Sequence, residues 1–274
     1  MGAVAPLTAR GRAGAVPAPA PTTRKTQMLD LGWVWAALGL AIGGVLKGAT
    51  GAGAPIVAVP VLALFYNVPL AIATLLFPSL FSNAWQMWHY RREVQSRAFV
   101  AAWSLAAVVG VTAGSFLLVY LPSDYLLATV SGSVFLYIAF RLAHPQWVLP
   151  RPIANLIVVP AGALGGILQG AAGISAPVSI TFLSAMRMRR EEFMATISTF
   201  FFAMTVVQVP VLAGLGVMNF ERSLISLAAC LPLFGAMPVG AALARRISRE
   251  GFEKIMLAIL AVMALRLIFE AVAG

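Results

Sequence analysis

Lys47 is the residue whose position most clearly suggests chemistry. It lies near the middle of an apolar run, residues 33–66, that contains no Asp or Glu. A charge buried without a partner is costly, so a side chain of this kind is normally paired or hydrated. We expect an anionic ligand, backbone carbonyls or water as partners, and the alternative is that the long side chain reaches back to polar surroundings.

A glycine-rich segment surrounds Lys47, and a second copy lies 122 residues further along the chain. Residues 43–55 read GGVLKGATGAGAP and residues 165–177 read GGILQGAAGISAP, with eight of thirteen positions identical. The same shift pairs Gln86 with Gln208, and a shift of 125 pairs Gly110 with Gly235. The chain is therefore an internal duplication.

Each copy interrupts a long apolar stretch and ends in a proline, Pro55 or Pro177. Because glycine costs about 1 kcal/mol and proline about 3 kcal/mol inside a helix, we predict two half-helices with unwound backbone between them. The free N–H groups of the second half-helix would suit an anion. Close helix packing through small residues is the alternative. The candidate substrate-binding residues here are Lys47, Thr50, Gly51, Gly53, Gln169, Gly173 and Ser175, of which Ser175 is also predicted to cap its helix.

The next apolar segment of each repeat carries polar side chains on one face. Ser79, Ser82, Asn83 and Gln86 follow the spacing i, i+3, i+4, i+7, and the second repeat offers Thr205 and Gln208. We add Asn83, Gln86 and Gln208 to the candidate binding residues, with hydrogen bonding between helices as the alternative role. Arg141 and Arg266 are predicted to anchor helix ends at the membrane interface.

Motifs of enzymes and metal sites are absent from the sequence. There is no G-x-x-x-x-G-K-[ST], H-E-x-x-H or G-x-S-x-G, and one cysteine with two histidines makes no zinc cluster. We predict no catalytic residue, no metal site and no cofactor, and a buried, inert Cys230.

The composition indicates the elements that must position these residues. Hydrophobic residues make up 61% of the 274-residue chain and charged residues 10%, against about 25% charged in soluble domains. Apolar stretches near the ~20 residues that span a bilayer recur along the chain. We predict an all-α polytopic membrane protein of about eight helical segments, with a disordered tail at residues 1–27 and four-segment repeats at 28–148 and 149–274. Met28 is an alternative start of the chain.

The charge pattern bears on topology. The net charge of +10 comes from short clusters of Lys and Arg between apolar stretches. Clusters in such places orient membrane proteins, so the charge argues against nucleic-acid binding. If each broken stretch is one crossing, the two sides carry 10 and 7 Lys or Arg residues; if each is a hairpin, they carry 12 and 5. The second topology, which inverts one repeat relative to the other, fits the positive-inside rule better, although both stay open.

The duplicated motif resembles the TauE/SafE sulfite exporter family over about residues 33–270. The likeness rests on GGVLKGATGAGAPIVAVPVL and GGILQGAAGISAP, each followed by a segment containing Ala-Thr; the sequence departs from the family's frequent triple glycine at Gly51-Ala52-Gly53-Ala54. The resemblance implies a transporter of sulfite, sulfonates or related organosulfur anions.

Together, residues and resemblance predict a secondary transporter that moves a small anion, sulfite or an organosulfonate, across the cytoplasmic membrane. Export is favoured because a negative interior drives an anion outward, by about 2.3 kcal/mol per 100 mV. A passive anion channel and a non-transporting membrane partner are the alternatives. The expected partners are the anion and the lipid bilayer; the oligomeric state stays open, with a homodimer among the candidates.

Overall fold

A computed structural model describes residues 23–94, 96–144 and 147–246, together with residues 258 and 262; for residues 23–31 and 141 it describes the backbone alone. Within these residues it is entirely helical, with nine helices. They are α1 (Thr23–Thr50), α2 (Ala54–Phe65), α3 (Val68–His89), α4 (Arg97–Tyr120), α5 (Ser123–Ala143), α6 (Arg151–Ala172), α7 (Ala176–Ala185), α8 (Arg190–Gly214) and α9 (Phe220–Leu243).

Seven of the described helices are long and apolar enough to cross a membrane, which confirms the predicted polytopic helical fold. The two shorter helices, α2 and α7, are the second halves of the predicted broken stretches. The last predicted segment lies outside the described residues, apart from two helical positions, Ala258 and Val262. Helix α1 begins at Thr23, inside the segment predicted as a disordered tail.

Local sequence fixes where several helices begin. The side chains of Asn67 and Asn219 accept hydrogen bonds of 2.9 Å from the third residue that follows each of them, and the Ser96 hydroxyl caps α4 in the same way at 3.3 Å. These contacts satisfy N–H groups that have no partner within the helix.

The two broken stretches are helical hairpins. A methyl group built on Gly39 of α1 would lie 2.7 Å from Val61 of α2, and the Trp33 and Tyr66 rings are 5.2 Å apart, so α2 runs back along α1. At the base of the second hairpin, the Leu149 N–H donates to the carbonyl of Ala185 over 2.8 Å. Of the two topologies that the charges allowed, the structure has the hairpin one.

Each hairpin packs against the other repeat through glycine. A methyl group on Gly44 or Gly48 of α1 would meet the carbonyl oxygen of Leu233 or Met237 in α9 at 2.2 and 2.0 Å. In the other pair, methyl groups on Gly166 and Gly170 of α6 would meet the carbonyls of Ala107 and Val111 in α4 at 2.2 and 2.5 Å. Only glycine lets these backbones approach so closely.

These equivalent contacts correct the alignment of α4 with α9. Ala107 corresponds to Leu233 and Val111 to Met237, a shift of 126 residues rather than the predicted 125. One residue of shift rotates a position by 100° around a helix. Gly110 accordingly packs against Ala163, whereas at Gly235, its predicted counterpart, no atom of the described residues lies within 4 Å of where a methyl group would be.

The connections after α3, α5, α7 and α9 form one end of the bundle, which we call the arginine end. Ion pairs join the first three of them: Arg189 lies 3.5 Å from Glu93, and Arg151 lies 3.4 Å from Glu192. Helix α9 runs beside α1 toward the same end, since Gly48 of α1 packs on Met237 four residues after Gly44 packs on Leu233. Helix α6 begins at this end, whereas α1 begins at the opposite end. The two repeats are therefore inverted relative to each other, as predicted.

Candidate functional site

A small cavity lies between the breaks of the two hairpins. It has room for about one water molecule. Its lining residues are Lys47, Gly53, Pro55, Ser79, Asn83, Gln169, Phe201 and Thr205.

The lining is built largely from equivalent positions of the two repeats. At the shift of 122, Lys47 corresponds to Gln169, Ser79 to Phe201 and Asn83 to Thr205, and both members of each pair line the cavity. The cavity therefore lies where the two inverted repeats meet, and non-helical backbone at such a place is typical of transporter binding sites.

We call the part of the cavity at Lys47 and Asn83, together with Gln86 one helical turn beyond the lining, the Lys47 half. It lies toward the arginine end, because the Arg190 side chain donates to the carbonyl of Ala49, two residues beyond Lys47, over 3.2 Å.

The equivalent residues make the Gln169 half, which consists of Gln169 and Thr205 in the lining and of Gln208 one helical turn beyond it. It lies toward the opposite end: Gly173, just past Gln169, packs against Ile72, close to the start of α3.

The Lys47 ammonium is buried and bound by uncharged groups. The residue is 3% exposed, and its Nζ donates to Asn83 Oδ1 and, over 3.3 Å, to the carbonyl of Gly51. The Phe201 ring centroid lies 6.0 Å from Nζ. Neither ion pair found among the described residues involves Lys47. An ammonium has three N–H groups, so one remains to donate toward the cavity.

The break between α1 and α2 holds the Gly51 carbonyl near Lys47. Gly51 and Gly53 have φ values of +79° and +97°, which residues with a side chain rarely adopt. The Thr50 hydroxyl accepts from the Ala52 N–H over 3.2 Å and donates to the Leu46 carbonyl over 2.8 Å. Thr50 and Gly51 thus shape the break from outside the cavity lining.

The predicted cap at Ser175 is wrong. No side-chain hydrogen bond caps α7, and the Ser175 hydroxyl lies 3.0 Å from that of Ser179. Ser175 has φ −96° and ψ −4°, close to helical geometry, whereas a capping side chain usually needs extended backbone.

Four of the ten predicted binding residues line the cavity: Lys47, Gly53, Asn83 and Gln169. Thr50, Gly51, Gly173 and Ser175 belong to the two breaks without lining it. Gln86 and Gln208 lie one helical turn beyond Asn83 and Thr205, the first bonded to Ser198 over 3.2 Å and the second with both amide atoms unpartnered within the described residues.

Sequence reasoning missed Phe201, which pairing Ser79 across the 122-residue shift would have found. Cys230 is half-buried, not buried as predicted. Arg266 and the side chain of Arg141 lie outside the described residues.

Fold and cavity define a multi-pass α-helical membrane protein with two inverted hairpin repeats. The family model for the sulfite exporter TauE/SafE matches residues 35–267, so the chain belongs to that family, which is one of membrane transporters of the anion-export type. Comparisons with curated proteins and with solved structures gave no significant match.

Proposed function

We propose that this chain is a secondary transporter that exports a small oxyanion, sulfite or an organosulfonate, through the cavity between the hairpins. The observation that carries the proposal is the buried Lys47 ammonium, which faces the cavity and bonds only to neutral groups among the described residues. An uncompensated charge at membrane depth costs at least about 2.5–3.5 kcal/mol, and an anion in the cavity would offset that cost. The family supplies the sulfur oxyanion as the substrate class.

Orientation follows from the arginine end, which the positive-inside rule assigns to the cytoplasm of a cell with an inner membrane. Lys47 then meets an anion arriving from the inside, and the membrane potential drives the anion on toward the opposite end.

The small volume of the cavity supports a transporter rather than a passive channel. Space for about one water molecule is too little for a sulfur oxyanion together with its hydration. Binding therefore requires the two hairpin repeats to move apart, and inverted repeats allow opening toward one end and then the other.

The proposal is tested by binding and flux with Lys47→Gln and Asn83→Asp. The first removes the charge and gives both cavity halves the same side chain. The second keeps the lysine but supplies a carboxylate that competes with the anion. We expect both variants to bind sulfite and sulfonates with an apparent affinity at least about a hundredfold lower, which is near 2.8 kcal/mol. The affinity is measured from the rise in melting temperature that each anion causes in the purified protein.

Arg222→Gln is the matched control, since Arg222 bonds to the Val217 carbonyl at the opposite end and lies away from the cavity. It should leave anion binding unchanged. Trans-accelerated exchange in proteoliposomes would identify a transporter. Anion flux that persists in folded Lys47→Gln would contradict the proposal.

A further inference from the structure

Gln208 is a buried side chain whose amide has no hydrogen-bond partner in the part of the chain that the structure describes. It is 0% exposed, and neither Nε2 nor Oε1 has a hydrogen-bond partner among the described residues. Exchanging the two amide atoms would change nothing, because one unpartnered donor and one unpartnered acceptor remain in either orientation. Buried polar groups are normally bonded, so this side chain points to an absent partner.

Gln86, the equivalent of Gln208 in the other repeat, shows what kind of group such a glutamine bonds to when a partner is present. Gln86 Oε1 accepts a hydrogen bond from the Ser198 hydroxyl over 3.2 Å. At the shift of 122, Ser198 corresponds to Leu76, a buried apolar residue. The amide is therefore present in both halves, but the hydroxyl that binds it exists only in the Lys47 half.

Gln208 lies where a ligand leaving Lys47 outward would arrive. It is three residues beyond Thr205, a lining residue, and therefore on the same face of α8. Helix α8 starts at the arginine end, so Gln208 is on the side of the cavity toward the opposite end. Gln169, which lines the cavity in the same half, has an unpartnered Oε1 as well.

Resting on the proposed function, we propose that Gln208 and Gln169 form a second binding position for the transported ion, and that this position selects a singly charged oxyanion that carries a hydroxyl. An oxyanion oxygen would accept from Gln208 Nε2, and the hydroxyl of the ligand would donate to an amide Oε1. A dianion without a hydroxyl has no donor to offer, and the cavity supplies a single positive charge, that of Lys47.

The experiment uses two sulfonates that differ only in a hydroxyl, ethanesulfonate and 2-hydroxyethanesulfonate. Wild-type protein should bind the hydroxylated ion at least about tenfold more tightly, in competition binding on the purified protein. In Gln208→Leu the ratio should fall to within about twofold, without a fall in melting temperature. Gln208→Met serves if the leucine variant does not fold.

Gln86→Leu is the matched control. Any effect it has on anion affinity should be the same for the two sulfonates, so their ratio should stay at the wild-type value, and the melting temperature should fall because the Ser198 hydroxyl loses its partner. A third measurement distinguishes the hydroxyl of a protonated oxyanion from a hydroxyl on carbon. It compares the affinity for sulfite with that for ethanesulfonate at acidic and at alkaline pH. If sulfite binds relatively more tightly at acidic pH and Gln208→Leu removes that gain, the site accepts both kinds of hydroxyl; if pH makes no difference, it accepts only the hydroxyl on carbon.

A wild-type ratio near one, or a ratio that survives Gln208→Leu, overturns the inference. If both sulfonates bind equally and Lys47→Gln abolishes both, the inference alone fails. If wild-type protein binds neither sulfonate nor sulfite, the proposed function fails and the inference with it.

Discussion

The Lys47 half and the Gln169 half of the cavity come from one duplicated unit, yet they differ in charge and in how well their polar atoms are bound. Lys47 and Gln86 bond to Asn83, Gly51 and Ser198. Gln169 Oε1 and both amide atoms of Gln208 have no partner among the described residues. The two ends of the cavity therefore differ: the Lys47 end is charged and hydrogen-bonded to the protein, and the Gln169 end is neutral and has polar atoms without a hydrogen bond in the described part of the chain.

The glycine contacts between helices are the same in the two repeats, unlike the side chains of the cavity. Gly44 and Gly166 each pack against a backbone carbonyl at 2.2 Å from the methyl position, and Gly51 and Gly173 each pack against a side chain at 2.9 Å. Backbone contact leaves no space for a side chain at Gly44 and Gly166, and both copies are glycine there. Side chains that face a space can diverge without disturbing the bundle, and this is where the two repeats differ.

The largest expected effect tests the interfaces. Gly110→Ala places a methyl group 2.1 Å from the Ala163 carbonyl, so α4 and α6 must separate. We expect a loss of about 3 kcal/mol or more in the free energy of unfolding, measured by thermal or denaturant melting in detergent.

Gly235→Ala is its control, because a methyl group there meets no atom of the described residues within 4 Å. It should be neutral or stabilising by up to about 1 kcal/mol, the gain in helix propensity. Equal melting temperatures for the two variants would contradict the shift of 126 that relates α4 to α9.

A second prediction concerns a variant that places a lysine in the Gln169 half. Gln169→Lys should lower the free energy of unfolding by about 2.5–3.5 kcal/mol. The residue that corresponds to Asn83 in this half is Thr205, which has a hydroxyl in place of the amide carbonyl that binds Lys47.

The double variant Lys47→Gln/Gln169→Lys separates charge repulsion from the missing partner. It carries one buried lysine, as the wild type does, but in the Gln169 half. We expect it to remain less stable than wild-type protein. Wild-type stability would mean that the halves differ only in which residue is charged.

The sequence predicted what depends on local pattern and on duplication. Hydropathy and the Gly-Pro breaks predicted the helices, and the repeat paired Lys47 with Gln169. It missed what depends on which face of a helix meets which neighbour: the one-residue offset at Gly110, and the loss of a Ser198-like partner for Gln208, where Leu76 occupies the equivalent position. It also missed the nearly helical φ and ψ of Ser175, which remove its capping role.

The smallest effect tests whether a bonded glutamine matters at all. Ser198→Ala leaves Gln86 Oε1 unpartnered, as Gln208 already is, and should lower the free energy of unfolding by about 1 kcal/mol without changing anion affinity. Thr199→Ala is the control: that hydroxyl bonds only to the Ala195 carbonyl of its own helix, over 2.8 Å, and its loss should cost less. If Ser198→Ala has the same melting temperature as wild-type protein, a glutamine buried at this depth costs no stability when it lacks a protein partner. The difference between Gln86 and Gln208 then says nothing about what the Gln169 half binds.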